Sequence, residues 1–364
     1  EGDWPAAARV DRYVRHAPGA GRNAFDALHA FARWPTWMWA NREVATFVEW
    51  LHLHNAALPA RERVGFHGLD VYSLWESMSA VVGYLDRHDP EAGRRARRAY
   101  ACFAPYGEDA EAYAAATTLV PASCEDAVVR VLTELRAAPD ASGGLDARFD
   151  AEQNALVAKN AERYYRAMVR GGAMSWNVRD WHMVETLERL TARYGARSKA
   201  IVWAHNTHVG DARYTDMHAE GEVNVGQLVR ERRARDGVVL VGFSTHRGRV
   251  VAAEEWGAPM QRLRVPEARP GSVEDALHRV DVPVALYVFS EITTGPELLE
   301  PRGHRAIGVV YRPEYERFGN YVPSVLPRRY DALVHVDITS PTAALHADSS
   351  PPAHDTPETY PFGV

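Results

Sequence analysis

Apolar positions in the first half of the chain recur at helical spacing, whereas in the second half they bunch into short runs. Ala6 to Val14 and Trp34 to His54 have the first texture, with Pro5 suited to the opening turn of one helix and Pro35 to the start of the other. The tryptophans Trp37, Trp39 and Trp50 in the second of these are expected to serve as core or cleft wall. "SLWESMSAVVGYLDRH" (Ser73 to His88) is again helical in spacing. Residues 90 to about 169 read as helix almost throughout, broken by the turn-rich "APDASGG" (Ala138 to Gly144). Another helix is expected from about Asn177 to Tyr194, with Gly195 as its C-cap. A short strand candidate, "RVGFHGLD" (Arg63 to Asp70), interrupts this helical half.

From Lys199 onward, β-like runs appear at Ala200–Ala204, Val238–Phe243, Val250–Ala253, Val284–Phe289, Ile307–Tyr311 and Ala332–Val336. Their alternation with helical segments predicts an α/β fold with a central, largely parallel sheet flanked by helices. The helical stretch from about 90 to 195 then becomes an insertion, or cap, over the carboxyl edge of the strands. The expectation is a single domain over 1–364, with 199–340 as its α/β portion. The tail from Ser340 to Val364 is rich in Pro and Ser and is expected to be extended surface chain.

With 364 residues, 46% of them hydrophobic, the chain is long enough to bury a large core. A net charge of -6 argues against nucleic acid or an anionic membrane as the main partner. The arginine clusters "GRRARR" (Gly93 to Arg98) and "RERRARD" (Arg230 to Asp236) read as solvated helix faces. Two cysteines, Cys102 and Cys124, imply neither a disulfide framework nor a Cys-based zinc site. Together with the absence of a long apolar run and of a signal peptide, they point to a cytoplasmic protein with no membrane contact. The sequence opens on "EGDWP" without Met and is expected to be the remainder of a longer chain.

Candidate chemistry gathers where apolar runs stop. "IVWAHNTHVGD" (Ile201 to Asp211) places His205 and His208 just after one run, and Asp70 follows another. Ligands of open α/β sheets bind beyond the carboxyl ends of the strands. Histidines there can act as general base, oxyanion donor or metal ligand, or can simply be packed. "HNTH" differs from the zinc-protease H-E-x-x-H in both spacing and acid. No G-x-S-x-G nucleophile elbow is present; "VGFSTHRG" (Val241 to Gly248) lacks the flanking glycines. Neither a P-loop nor a G-x-G-x-x-G occurs, so phosphate cofactors have no support.

Five blocks, "EGDWPAA", "FHGLDVYSLWESM", "NVRDWHMVETL", "VWAHNTHVGD" and "ETYPFGV", stand in this order and together resemble the erythromycin esterase family. The resemblance implies a hydrolase without metal or cofactor that activates water against a carboxylic ester and forms no covalent intermediate. In the named members the ester is a macrolide lactone, which links the family to antibiotic resistance. Carried over by motif, His205 and His208 match the family's paired histidines, and Glu1 matches the acid of its "EGDW" block. The family's usual base, a histidine in a "GExTHG" segment, has no counterpart here. Asp70, Tyr72, Arg179 and Trp4 are further candidates for substrate contact, with plain packing, or an Arg179–Asp180 pair, as the alternative. A small-molecule ester is the expected partner. Two other readings stay open: a metal-dependent hydrolase with His205, His208 and Glu1 as ligands, and a non-catalytic remnant that binds a small apolar molecule.

Overall fold

The computed structural model describes residues 1–119, 123–138, 144–292 and 295–346. The chain divides into two compact units, Glu1–Ser198 and Lys199–Val364. The "APDASGG" loop falls largely, and the end of the C-terminal tail wholly, outside the described residues.

The first unit is helical, and its helices follow the apolar periodicity. Leu74–His88 and Met174–Tyr194 form where expected, and Gly195 closes the second with φ 93°, its N–H donating to Thr191 O. Inside the long helix Gly144–Met168, Ala151, Ala155 and Ala158 repeat at helical spacing and are all buried. Small side chains on one stripe let neighbours approach closely, and Leu74–His88, Pro90–Tyr100 and Glu125–Ala137 share the core around it. The stretch from Trp34 is not one helix. A 3-10 turn, Thr36–Met38, comes first, and the helix Arg42–Ala56 starts only after Asn41, whose side-chain oxygen accepts from the Val44 N–H. An Asn with extended backbone sets a helix start more strongly than the apolar pattern upstream of it. Trp37 is buried, while Trp50 lies at the surface, 56% exposed, and stacks on Phe47 and His54.

Arg63–Asp70 runs extended but joins no ladder; Asp70 makes only an isolated parallel bridge to Asp3. The Asp70 N–H donates to Gly2 O, and side chains satisfy other backbone groups. Asn55 accepts from Val64 N and donates to Val64 O, and Asp11 accepts from Phe66 N. A strand needs a neighbour because every backbone polar group needs a partner; at Val64 and Phe66 the partners are Asn and Asp. Cys102 and Cys124 are joined by a disulfide, contrary to expectation, so cysteine usage no longer argues for a reducing cytosol. No described helix is long and apolar enough to cross a membrane.

The second unit holds β1 (Val241–Ala252), β2 (Gln261–Val265), β3 (Val284–Val288), β4 (Arg302–Arg305), β5 (Tyr321–Ser324) and β6 (Ala332–Thr339). Four of them form a sheet in the order β2-β1-β6-β3, and β4 pairs with β5 separately. The sheet is mixed rather than largely parallel: β1 and β6 are parallel, while β1–β2 and β3–β6 are antiparallel. The connection 253–260 is too short for a helical crossover, so β2 must return antiparallel to β1. The two apolar runs read as separate strands are one strand. It pairs with β6 up to Gly248 and with β2 from Gly248 onward. Gly248 has φ 140°, and a Cβ there would meet Thr339 O at 2.2 Å, so only glycine suits this hand-over. The helix Val273–His278 and the residues Leu240, Tyr330 and Leu333 form the core on one face of the sheet. Ile307–Tyr311 contributes only an isolated bridge, Val310 to Ala253, and Lys199–Ala204 is extended with no ladder partner among the described residues.

Candidate functional site

The candidate residues fall into two groups, one in each unit. In the first, Arg179 on the helix Met174–Tyr194 faces Asp70 with two hydrogen bonds of 2.9 Å, from Nε to Oδ1 and from Nη2 to Oδ2. Nη2 also donates to Glu1 Oε1 at 2.8 Å. The guanidinium lies 4.7 Å from the centre of the Tyr72 ring, and Arg33 lies 4.6 Å from the same ring. Glu1, Asp70, Tyr72 and Arg179, each singled out in the sequence, are thus brought into one buried cluster. Trp4 sits elsewhere: its indole N–H donates to Asp150 Oδ1 and its ring stacks on His67, which is packing inside the unit.

Burial would raise the Asp70 carboxyl, but the charge and hydrogen bonds of Arg179 outweigh it and hold the group below its ordinary value. Burial likewise opposes the charge on Arg179, and Asp70, Tyr72 and Glu1 more than compensate. Gly68 lets Glu1 into this cluster, because a Cβ there would stand 2.5 Å from the backbone of Asp3 and Gly2. Gly68→Ala is expected to cost about 1–3 kcal/mol of unfolding free energy, as overpacking does. Urea denaturation checks this; an unchanged midpoint would mean that the segment Glu1–Asp3 can shift without loss.

In the second unit, His205 precedes a four-residue helix, Asn206–Val209, and His208 lies within it. His205 is its N-cap, and its Nδ1 accepts from the Thr207 N–H at 3.3 Å and contacts Thr207 Oγ1 at 2.8 Å. An amide can only donate, so Nδ1 is the acceptor and a neutral ring carries its proton on Nε2. His205 is therefore set up as a donor. His208 is 2% exposed.

The turn between them is braced by residues that the pattern reading did not single out. Asn206 behaves like a strand residue beside β1: it accepts from Phe243 N at 3.0 Å and donates to Phe243 O at 2.6 Å. Its amide nitrogen is also 3.3 Å from His304 Nε2. His304 Nδ1 in turn lies 2.6 Å from Glu274 Oε1, both side chains being fully buried. Asn224 donates to Thr207 O and Gly210 O and caps its own helix, Val225–Arg233, through Gln227 N. Only Asn206, inside the "AHNTH" block, had a sequence signal. Burial would raise Glu274, but the charge and hydrogen bond of His304, with backbone N–H groups, hold it lower than usual.

Asp70 and Glu274 therefore stabilise the fold fully above their ordinary values of 3.8 and 4.5, and lose that contribution as pH falls through the lower folded-state values. The unfolding temperature is expected to drop steeply below about pH 4. In Asp70→Asn the drop should be shallower; an identical pH dependence would exclude Asp70 as its source.

One group close enough to share a metal ion is His246, His278 and Asp337, none of which belongs to the set Glu1, His205 and His208. The sequence model of the erythromycin esterase family matches residues 1–339. Among solved structures, the chain is similar to a succinoglycan biosynthesis protein, at 18% identity and TM-score 0.74, with 94% of this chain and 79% of that one covered. It is also similar to a Bacillus cereus protein, at 17% identity and TM-score 0.73, with 95% and 81% covered. A mutant of the erythromycin esterase EreC in its open conformation matches at 16% identity and TM-score 0.62, with 98% and 84% covered. At these identities the structural likeness speaks for the fold.

Proposed function

The chain belongs to the erythromycin esterase family, and from that premise we propose that it hydrolyses a carboxylic ester with activated water and no covalent intermediate. The observation that carries the reading is the place of His205 as N-cap of Asn206–Val209, with Nδ1 turned to the Thr207 N–H. Ester hydrolysis needs a proton removed from water and stabilisation of the oxyanion that forms on the carbonyl. A donor held in place before the reaction begins stabilises that oxyanion without reorganising. His205 Nε2–H is such a donor, and His208 is the second candidate for the same task. Glu1, which accepts a hydrogen bond from Arg179 Nη2, is the candidate for the proton-transfer side. Arg179 and Asp70 are positioning residues, acting through Glu1. Tyr72, its ring packed against two guanidinium groups, is a candidate for substrate contact. The substrate class is a small-molecule ester, and a macrolide lactone is the first to test.

A panel of esters, including a 14-membered macrolide and simple alkyl and aryl esters, should yield at least one substrate that releases one acid per turnover in a pH-stat. Acid release that persists unchanged in Glu1→Gln would remove Glu1 from the proposal. Absence of acid release across the panel would count against the activity itself.

A further inference from the structure

Apart from the histidine turn, three titratable groups meet where the helix Val273–His278 lies on the sheet: His246 from β1, Asp337 from β6 and His278 from the end of the helix. One ligand atom from each lies within 4.8 Å of the others. The rings of His246 and His278 stack with centroids 3.8 Å apart and 3° between planes, and His278 Nδ1 is 2.7 Å from Asp337 Oδ1. His335, two residues before Asp337 on β6, brings its Nε2 to 3.6 Å from the same carboxylate oxygen, while its Nδ1 bonds to Ser244 Oγ. Two of these ring nitrogens stand out. His246 Nδ1 and His335 Nε2, on residues 4% and 0% exposed, have no hydrogen-bond partner among the described residues. Buried polar atoms are nearly always partnered, so the His246 nitrogen calls for a ligand, while the His335 nitrogen faces the Asp337 carboxylate.

We propose that His246, His278 and Asp337 bind a divalent transition-metal ion of the zinc class. Two imidazoles and a carboxylate are a donor set suited to zinc, with a fourth position left for water. His335 beside the ligating carboxylate fills the outer place that orients such ligands. In the metal-free form the His278–Asp337 hydrogen bond holds the position. Metal binding displaces its proton to solvent, since imidazole and carboxylate ligate in their deprotonated forms. The His278 side chain is 42% exposed, so its ring can turn out of the stack on His246 and bring a nitrogen onto the ion within its own plane. An ion here would tie the helix Val273–His278 to β1 and β6. The same helix carries Glu274, which holds His304 beside Asn206, so the metal would brace the support of the histidine turn without entering the chemistry.

The test is a titration of the dialysed full chain with zinc against a chromogenic chelator, and with cobalt(II) followed by its visible spectrum. Expected are one ion per chain, tetrahedral cobalt bands, and affinity at least about tenfold weaker in His278→Ala and Asp337→Asn. Both side chains are partly exposed, so the variants should fold, and circular dichroism checks that they do. His205→Ala should bind zinc as tightly as the unsubstituted chain. Lack of saturable binding of either metal, equal affinity in His278→Ala, or loss of binding in His205→Ala would each overturn the assignment.

Discussion

Arg179→Met is expected to lower the unfolding free energy by about 3–5 kcal/mol, the usual result of removing one partner of a buried ion pair. Arg179 is the cation between two carboxylates that the fold has taken out of water. The side chains of Arg179, Glu1 and Asp70 are 7%, 13% and 5% exposed. The pair itself need not be a large net stabiliser, because desolvation offsets most of the attraction. The loss comes from what is left behind: a buried carboxylate at Asp70 without its two hydrogen bonds, and a second anion at Glu1 nearby. Arg179→Lys keeps the charge but cannot make the paired contact to Asp70, and should fall between the two. Denaturant unfolding of the full chain checks the order. Adding Asp70→Asn to Arg179→Met should restore part of the loss, since it removes one of the stranded charges. If the double variant is no more stable than Arg179→Met, the loss arises elsewhere.

His205→Ala is expected to reduce kcat on a confirmed ester substrate by about 10²–10³-fold, the magnitude typical of losing one preorganised oxyanion donor. The substitution also removes an N-cap, which costs stability in its own right, by about 0.5–2 kcal/mol. His205→Asn separates the two effects. Asn caps well, so the turn Asn206–Val209 should stay in place, while the imidazole N–H is lost. The expected result is near-normal unfolding with activity as low as in His205→Ala. Activity retained in His205→Asn would mean that the residue matters as a cap and that the donor lies elsewhere.

Much of the first unit was legible because helical periodicity is a local signal. The helices Leu74–His88 and Met174–Tyr194, with the Gly195 cap, follow directly from it. The sheet was harder to read. β1 looks like two strands because "THRG" interrupts its apolar positions, and the glycine that lets one strand serve two ladders reads as a break. β2, "QRLRV", has too few apolar positions to stand out, and β4, "RGHR", has none. Arg63–Asp70 and Lys199–Ala204 have the composition of strands, yet composition cannot say whether a neighbour will offer its backbone. The candidate site divides in the same way. "AHNTHVGD" announced His205 and His208 because two histidines end an apolar run. Nothing local announced the pairing of Arg179 with Asp70 across 109 positions. Nor did it announce Glu274 with His304, where the acid sits in the first turn of a helix, as capping acids do, and the histidine sits between Gly303 and Arg305.

The central claim is hydrolysis by water without a covalent intermediate, and a single-turnover reaction in H2(18)O tests it most directly. Excess enzyme is mixed with one equivalent of ester, a 14-membered macrolide first and the best substrate of the ester panel next. Product and protein masses are then read together. Expected are a product heavier by one labelled water, a protein mass that never gains the acyl group, and a single-turnover rate about 10²–10³-fold slower with His205→Ala. A transient acyl adduct on the protein, or an unchanged rate with His205→Ala, would contradict it.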